Sequence, residues 1–107
     1  MTRLPVRRAL APLLLLQPGE LEVRGSWKVV AGRVEADENC FRIETLTRSY
    51  LHEVAHDDSG WDTLYVDPCD GRHWELTYPD SQSQGGGPPS LKHLTAEQAR
   101  AKYLVET

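Results

Sequence analysis

The stretch GWDTLYVDPCDGRHWELTYPD, residues 60–80, decides the fold, because it predicts two strands joined by a tight turn. Pro68 and Gly71 interrupt the regular pattern in its middle, and Asp67 and Asp70 are residue types that favour turns. Apolar and polar residues alternate on both sides of this turn, as they do in strands with one buried face. The stretch therefore predicts an antiparallel β-hairpin.

The alternation also predicts which side chains of the hairpin are buried. The buried face is expected to carry Leu64, Val66, Trp74, Leu76 and Tyr78. The opposite face is expected to meet solvent, and it carries Trp61, Thr63 and Tyr65, with His73, Glu75 and Thr77 across the hairpin.

Upstream of the hairpin, DENCFRIETLTRSYLHEVAHDD predicts one long amphipathic helix over residues 37–55. Its apolar residues recur at helical spacing, from Ile43 to Val54. Asp37 is a good N-cap, and Glu38 suits the positive end of the helix dipole. The pair Ser59–Gly60 is expected to separate the helix from the hairpin.

The rest of the chain predicts shorter elements around these two. LEVRGSWKVVAGRVEADE, residues 21–38, indicates a strand or hairpin with a turn at Ala31–Gly32. SQSQGGGPPS has too few apolar groups to pack, and a short strand and a helix capped by Thr95 follow it. The fold class is therefore α+β: a small antiparallel sheet packed against one long amphipathic helix, with a short C-terminal helix.

Size and composition fit a single domain. The chain has 107 residues, of which 39% are hydrophobic and 26% charged, and its formal net charge is −4. This charge argues against a nucleic-acid partner, which selects clustered Lys and Arg. Cys40 and Cys69 lie at no metal-like spacing and are interpreted as reduced thiols of a cytoplasmic protein.

The first residues admit two interpretations. Arg3, Arg7 and Arg8 precede a short leucine-rich run, as in a secretory signal. However, Pro12 interrupts the run, no small-residue cleavage site follows, and the run is too short to span a membrane. We interpret residues 1–15 as an N-terminal extension and residues 16–107 as the domain, with a signal segment as the alternative.

His52, Glu53 and His56 form the pattern H-E-x-x-H, which on a helix binds zinc and activates water. Asp62 stands where the longer pattern has its last ligand, but the glycine is displaced by one position, to Gly60. Few residues remain to cover the histidines and form a cleft. We expect no metal, cofactor or catalytic site, and keep a small zinc hydrolase as the alternative function.

Several motifs occur in an order that resembles the Immunity protein 27 family of bacterial polymorphic toxin systems. They are LQPGELEVRGSW, RIETL, SGWDTLYVDPCDGRHWELTYPDS and GGGPPSLKHL. The resemblance covers residues 16–103, and SGW-x-x-LY, DP-x-DGR-x-WELTYP and GGGPP are its most specific parts. His52 and His56 lie outside the motifs, so the resemblance makes H-E-x-x-H incidental.

This resemblance implies a non-enzymatic α+β inhibitor that binds the toxin encoded beside it. It carries over no binding residues, so the candidate surface comes from the residues themselves. Trp61 and Tyr65 are aromatic and predicted to be exposed, and aromatic anchors within a charged rim are typical of protein interfaces. The surrounding carboxylates suit a basic partner such as a nuclease toxin. The predicted partner-binding residues are Asp57, Asp58, Trp61, Asp62, Tyr65, Asp67, Asp70 and Glu75.

Overall fold

The computed structural model describes residues 14–79 and 87–103. In this part of the chain the elements are β1 (Glu22–Arg24), β2 (Trp27–Val30), β3 (Arg33–Ala36), α1 (Glu38–Ser49), β4 (His52–His56), β5 (Thr63–Val66), β6 (His73–Thr77), β7 (Ser90–Leu94) and α2 (Ala96–Tyr103). The predicted α+β class is confirmed. The signal-like part of the N-terminus, residues 1–13, lies outside the described residues.

Five strands form an antiparallel sheet in the order β1-β7-β6-β5-β4, and β2 and β3 form a separate two-stranded hairpin. The predicted hairpin of residues 60–80 is the β5–β6 pair. The turn predicted at Ala31–Gly32 joins β2 to β3, and both residues have positive φ, at 52° and 79°. This is the backbone that a two-residue hairpin turn requires.

Both faces of the sheet are covered. On one face, Ile43 and Leu46 of α1 pack with Tyr65 and Trp74 of the sheet. On the other face, Leu64 and Leu94 pack with Ala99 and Tyr103 of α2. Because helices cover both faces, each strand of the β5–β6 hairpin carries buried side chains in both orientations. The predicted pattern of one solvent-exposed face and one buried face is therefore wrong for this hairpin.

The predicted long helix is shorter than expected. It begins after Asp37, whose side chain accepts a hydrogen bond from the Cys40 N–H as predicted for an N-cap, and it ends at Ser49. Residues 52–56 form the edge strand β4, which pairs with β5 through a bulge between Glu53 and Ala55. The gain from extending the sheet outweighs the local helical pattern, which is a weak preference.

At the other end of the chain, Thr95 and Gln98 bond reciprocally at the start of α2, and this confirms the predicted cap. Arg42 donates to the Leu14 and Leu15 carbonyls and forms an ion pair with Glu20 at 2.6 Å, so the segment before β1 is tied to α1. No helix among the described residues is long and apolar enough to cross a membrane.

Candidate partner-binding surface

Trp61 projects from the tight turn that joins β4 to β5. Asp57 holds this turn: its carboxylate accepts hydrogen bonds from the Ser59 hydroxyl at 2.7 Å and from the Gly60 N–H at 3.0 Å. The bond from Ser59 is the main reason that the pKa of Asp57 lies below its usual value. Gly60 has φ of 80°, a conformation that glycine adopts without strain. The turn therefore presents Trp61 on a fixed backbone.

The indole of Trp61 is 57% exposed, so the prediction that it meets solvent is confirmed. Its inner edge packs against Tyr78, with ring centroids 5.8 Å apart and planes at 75°. Asp58 lies beside it on the same turn and is also exposed. An exposed aromatic side chain next to carboxylates is typical of the anchors that protein interfaces use.

Three of the predicted binding residues are buried, against expectation. Tyr65 is 8% exposed, Asp67 2% and Glu75 7%. Tyr65 lies directly opposite Trp74, so both face α1 rather than opposite sides of the sheet. The prediction placed Tyr65 on the same face as Glu75 and opposite to Trp74. In the observed pairing Tyr65 shares a face with Trp74, because directly opposed residues of an antiparallel pair point to the same side of the sheet.

Glu75 and Asp62 form a charged cluster that attaches α2 to the sheet. The Lys102 ammonium lies 2.6 Å from Glu75 and 2.8 Å from Asp62, and the Tyr103 hydroxyl donates to Glu75 at 2.6 Å. Burial lowers the pKa of Lys102, but the bonds to the two carboxylates outweigh it and the net shift is upward. Burial and then the bond to Glu75 raise the pKa of Tyr103. Glu75 is therefore a structural carboxylate, already paired within the chain.

Asp67 and Asp70 lie in the β5–β6 turn, at the opposite end of β5 from Trp61. Asp67 accepts a bond from the Cys69 N–H at 2.8 Å, and Asp70 forms an ion pair with Arg72 at 2.8 Å. The four residues of β5 separate the two turns by roughly 13 Å. The structure thus brings Asp57, Asp58 and Asp62 to Trp61 but places Asp67 and Asp70 elsewhere.

The H-E-x-x-H residues lie on β4 and not on the predicted helix. Four residues span about 6 Å along a helix but roughly 13 Å along a strand, so His52 and His56 do not converge as zinc-protease ligands do. His56 instead lies 3.9 Å from Glu53. Within residues 14–79 and 87–103, no cluster of three or more His, Cys, Asp or Glu side chains is arranged to hold a metal. Cys40 and Cys69 are both free thiols.

The structure also contains a groove that the sequence analysis missed. It has a volume of about 390 Å³ and lies between the β2–β3 hairpin, α1 and β6. Its lining is mainly apolar: Trp27, Ala36, Cys40, Ile43, Glu44, Thr47, Leu76, Tyr78, Gly87 and Pro89. The sequence signalled only one wall of the groove: around the turn at Ala31–Gly32, the alternation in WKVV and RVEA places Trp27, Val29, Val34 and Ala36 on one face of the hairpin.

The structure is a small α+β domain with an exposed tryptophan on the β4–β5 turn and a mainly apolar groove. The chain belongs to the Immunity protein 27 family, whose model matches residues 30–95, and this confirms the resemblance seen in its motifs. The matched residues run from the end of β2 to the start of α2 and include the Trp61 turn. No curated protein and no solved structure matches the chain.

Proposed function

We propose that this chain binds and neutralises a cognate toxin in the cytoplasm of the cell that produces both, without catalysing a reaction. Membership of the Immunity protein 27 family supports the immunity role. The exposure of Trp61 is the observation that carries the binding mode, since an indole 57% exposed on a fixed turn is already ordered for contact. Little conformational entropy is then lost when a partner covers it.

The proposed contact surface is the Trp61 turn, with Asp57, Asp58 and Asp62 around the indole. Asp58 is exposed and has no structural bond among the described contacts, so it is the carboxylate best placed to meet a partner's Lys or Arg. Asp57 and Asp62 add negative charge to this surface. Asp57 also accepts a hydrogen bond within the turn, and Asp62 also forms an ion pair with Lys102. A basic toxin, such as a nuclease, would be attracted to this charge.

A zinc hydrolase was the alternative function. Its geometric basis was a helix carrying His52 and His56 on one face, and that stretch is a strand. Binding is therefore the function that the described geometry supports best.

The test compares two exposed aromatics against the purified toxin domain encoded beside the gene. Trp61→Ala should raise the dissociation constant about thirtyfold, which is the effect of removing a hot-spot residue. Phe41→Ala is the matched control, because Phe41 is 61% exposed but lies on α1 outside the proposed surface. Equal affinities for the two variants, both folded, would contradict the proposed surface.

A further inference from the structure

The β2–β3 hairpin has one apolar face that no described residue covers. Trp27 pairs with Ala36 and Val29 pairs with Val34, so these four side chains lie on the same face. Val29 is 72% exposed and Val34 68%. Two adjacent valines this exposed, on an ordered hairpin, form a larger apolar surface than isolated exposed residues do.

The opposite face of the same hairpin is different in character. Lys28 lies opposite Glu35 on that face and forms an ion pair with Glu38 of α1 at 3.4 Å. Val30 and Arg33 complete it. The hairpin is therefore amphipathic: one face carries Lys28, Arg33 and Glu35, and the other carries the exposed Val29 and Val34.

The uncovered face continues into the groove. Trp27 and Ala36 form one wall of the groove, and Ile43 of α1 and Leu76 of β6 line it as well. Tyr78 also lines the groove, and its ring contacts the ring of Trp61 in an edge-to-face arrangement. The exposed valines, the groove and the Trp61 turn therefore form one continuous surface.

The chemistry of the groove indicates what would fill it. Glu44 is the one charged side chain among the described residues that line the groove. Its ion pair with Arg48, at 3.3 Å, joins two exposed side chains and exchanges readily with another cation. The residues between Pro79 and Gly87, DSQSQGG, contain no apolar side chain and cannot supply an apolar anchor.

We propose that the groove and the apolar hairpin face bind an apolar segment of the cognate toxin, with a Lys or Arg of that segment meeting Glu44. This inference rests on the proposed function and names a second anchor for the same partner. Trp61 would then contact the toxin at one end of the surface and Val29 with Val34 at the other.

The test uses two neighbouring valines on opposite faces of the hairpin. Val29→Asp places a charge on the apolar face, and Val30→Asp places the same charge on the face that already carries Lys28, Arg33 and Glu35. Val29→Asp should raise the dissociation constant for the purified toxin domain by at least about tenfold. Val30→Asp should leave the dissociation constant close to the wild-type value. Glu44→Gln should weaken binding at low salt only, since salt screens exposed charges.

The possible outcomes separate the two proposals. If the wild-type chain does not bind the toxin domain, the proposed function fails and this inference fails with it. If the wild type binds and both valine variants bind equally well, this inference alone is wrong. Two results with the free chain would also overturn it. One is a dimer that Val29→Asp dissociates, which would make a second copy the occupant. The other is a monomer in which Val29→Asp melts well below Val30→Asp, which would mean that the chain itself covers the face.

Discussion

At the scale of single residues, Trp74 and Trp61 show the two extremes of burial. Trp74 is fully buried, with the Arg72 guanidinium 5.0 Å above its ring and His93 5.6 Å away. Trp74→Ala should lower the free energy of unfolding by roughly 3–5 kcal/mol, because it leaves a large cavity. Trp61→Ala should change it by less than about 1.5 kcal/mol, the value of one edge-to-face pair. Urea unfolding measures both, and a loss at Trp61 as large as at Trp74 would show that Trp61 is a core residue.

Gly25 gives a second prediction at this scale. A Cβ on Gly25 would lie 2.6 Å from the Cys40 sulfur and 2.9 Å from the Pro89 carbonyl oxygen, which is backbone and cannot rotate away. Gly25→Ala should therefore destabilise the protein by about 1–3 kcal/mol, the usual cost of overpacking. Gly19→Ala is the control, since nothing lies within 4 Å of its Cβ position. Thermal melting curves that coincide for the two variants would contradict this packing.

The sequence predicted some residue environments correctly and others wrongly, for a physical reason. The cap at Asp37 follows from local turn chemistry, whereas Trp74 is buried and Trp61 exposed as predicted although the alternation used to predict them does not hold for this hairpin. The burial of Tyr65 and Glu75 depends on how the chain pairs across the β5–β6 turn and on α2 covering the second face. A local pattern does not contain that information.

At the scale of elements, the N-terminus of α1 makes folding sensitive to acid. Partial burial raises the pKa of Asp37, but the bonds from the Cys40 N–H and the Ser26 hydroxyl outweigh it and lower the pKa to about 2. A carboxylate with a lowered pKa stabilises the fold fully above its unfolded pKa, near 3.9. That stabilisation is lost as the pH falls through the folded value.

Asp37→Asn tests this, because asparagine caps helices as well as aspartate but does not titrate. Between about pH 4 and about pH 2, the unfolding free energy of the wild type should fall relative to that of Asp37→Asn. Asp37→Ala should cost about 1 kcal/mol at neutral pH. If the wild type and Asp37→Asn keep parallel pH profiles, the carboxylate does not contribute as described.

The boundary between α1 and β4 shows why the helix was predicted too long. Residues 50–56 fit a helical pattern, and HEVAH lacks the alternation of polar and apolar residues that would have predicted a strand. Pairing with β5 buries Ala55 against Leu64 on the α2 face of the sheet. The pairing with β5, and no local pattern, decides that these residues form a strand, so the sequence could predict α1 but not where α1 ends.

At the scale of the whole molecule, zinc should have no effect on stability. His52 and His56 lie on an edge strand where their side chains do not converge, and a metal stabilises a protein only by binding its folded form. Addition of a chelator should leave the melting temperature unchanged, and the double variant His52→Ala, His56→Ala should behave as the wild type does in the same assay. A lower melting temperature that zinc restores would show that a metal site exists.

The groove could not have been predicted from any one element. It forms where the β2–β3 hairpin, α1 and β6 meet, and its lining residues are spread from Trp27 to Pro89. The aromatic and acidic character of the Trp61 turn was visible in the sequence. The continuity of that turn with the groove through Tyr78 emerges only in the folded chain.

The central claim is that this member of the Immunity protein 27 family neutralises a toxin by binding it. The most direct measurement is the residual activity of the purified cognate toxin domain as increasing amounts of this chain are added. A binding inhibitor should reduce the activity in proportion to its amount and abolish it when the two are equimolar. Activity that persists at excess inhibitor would contradict the claim. Complete loss of toxin activity at a small fraction of the equimolar amount of this chain would also contradict it, because one molecule would then inactivate many toxin molecules, as a catalyst does.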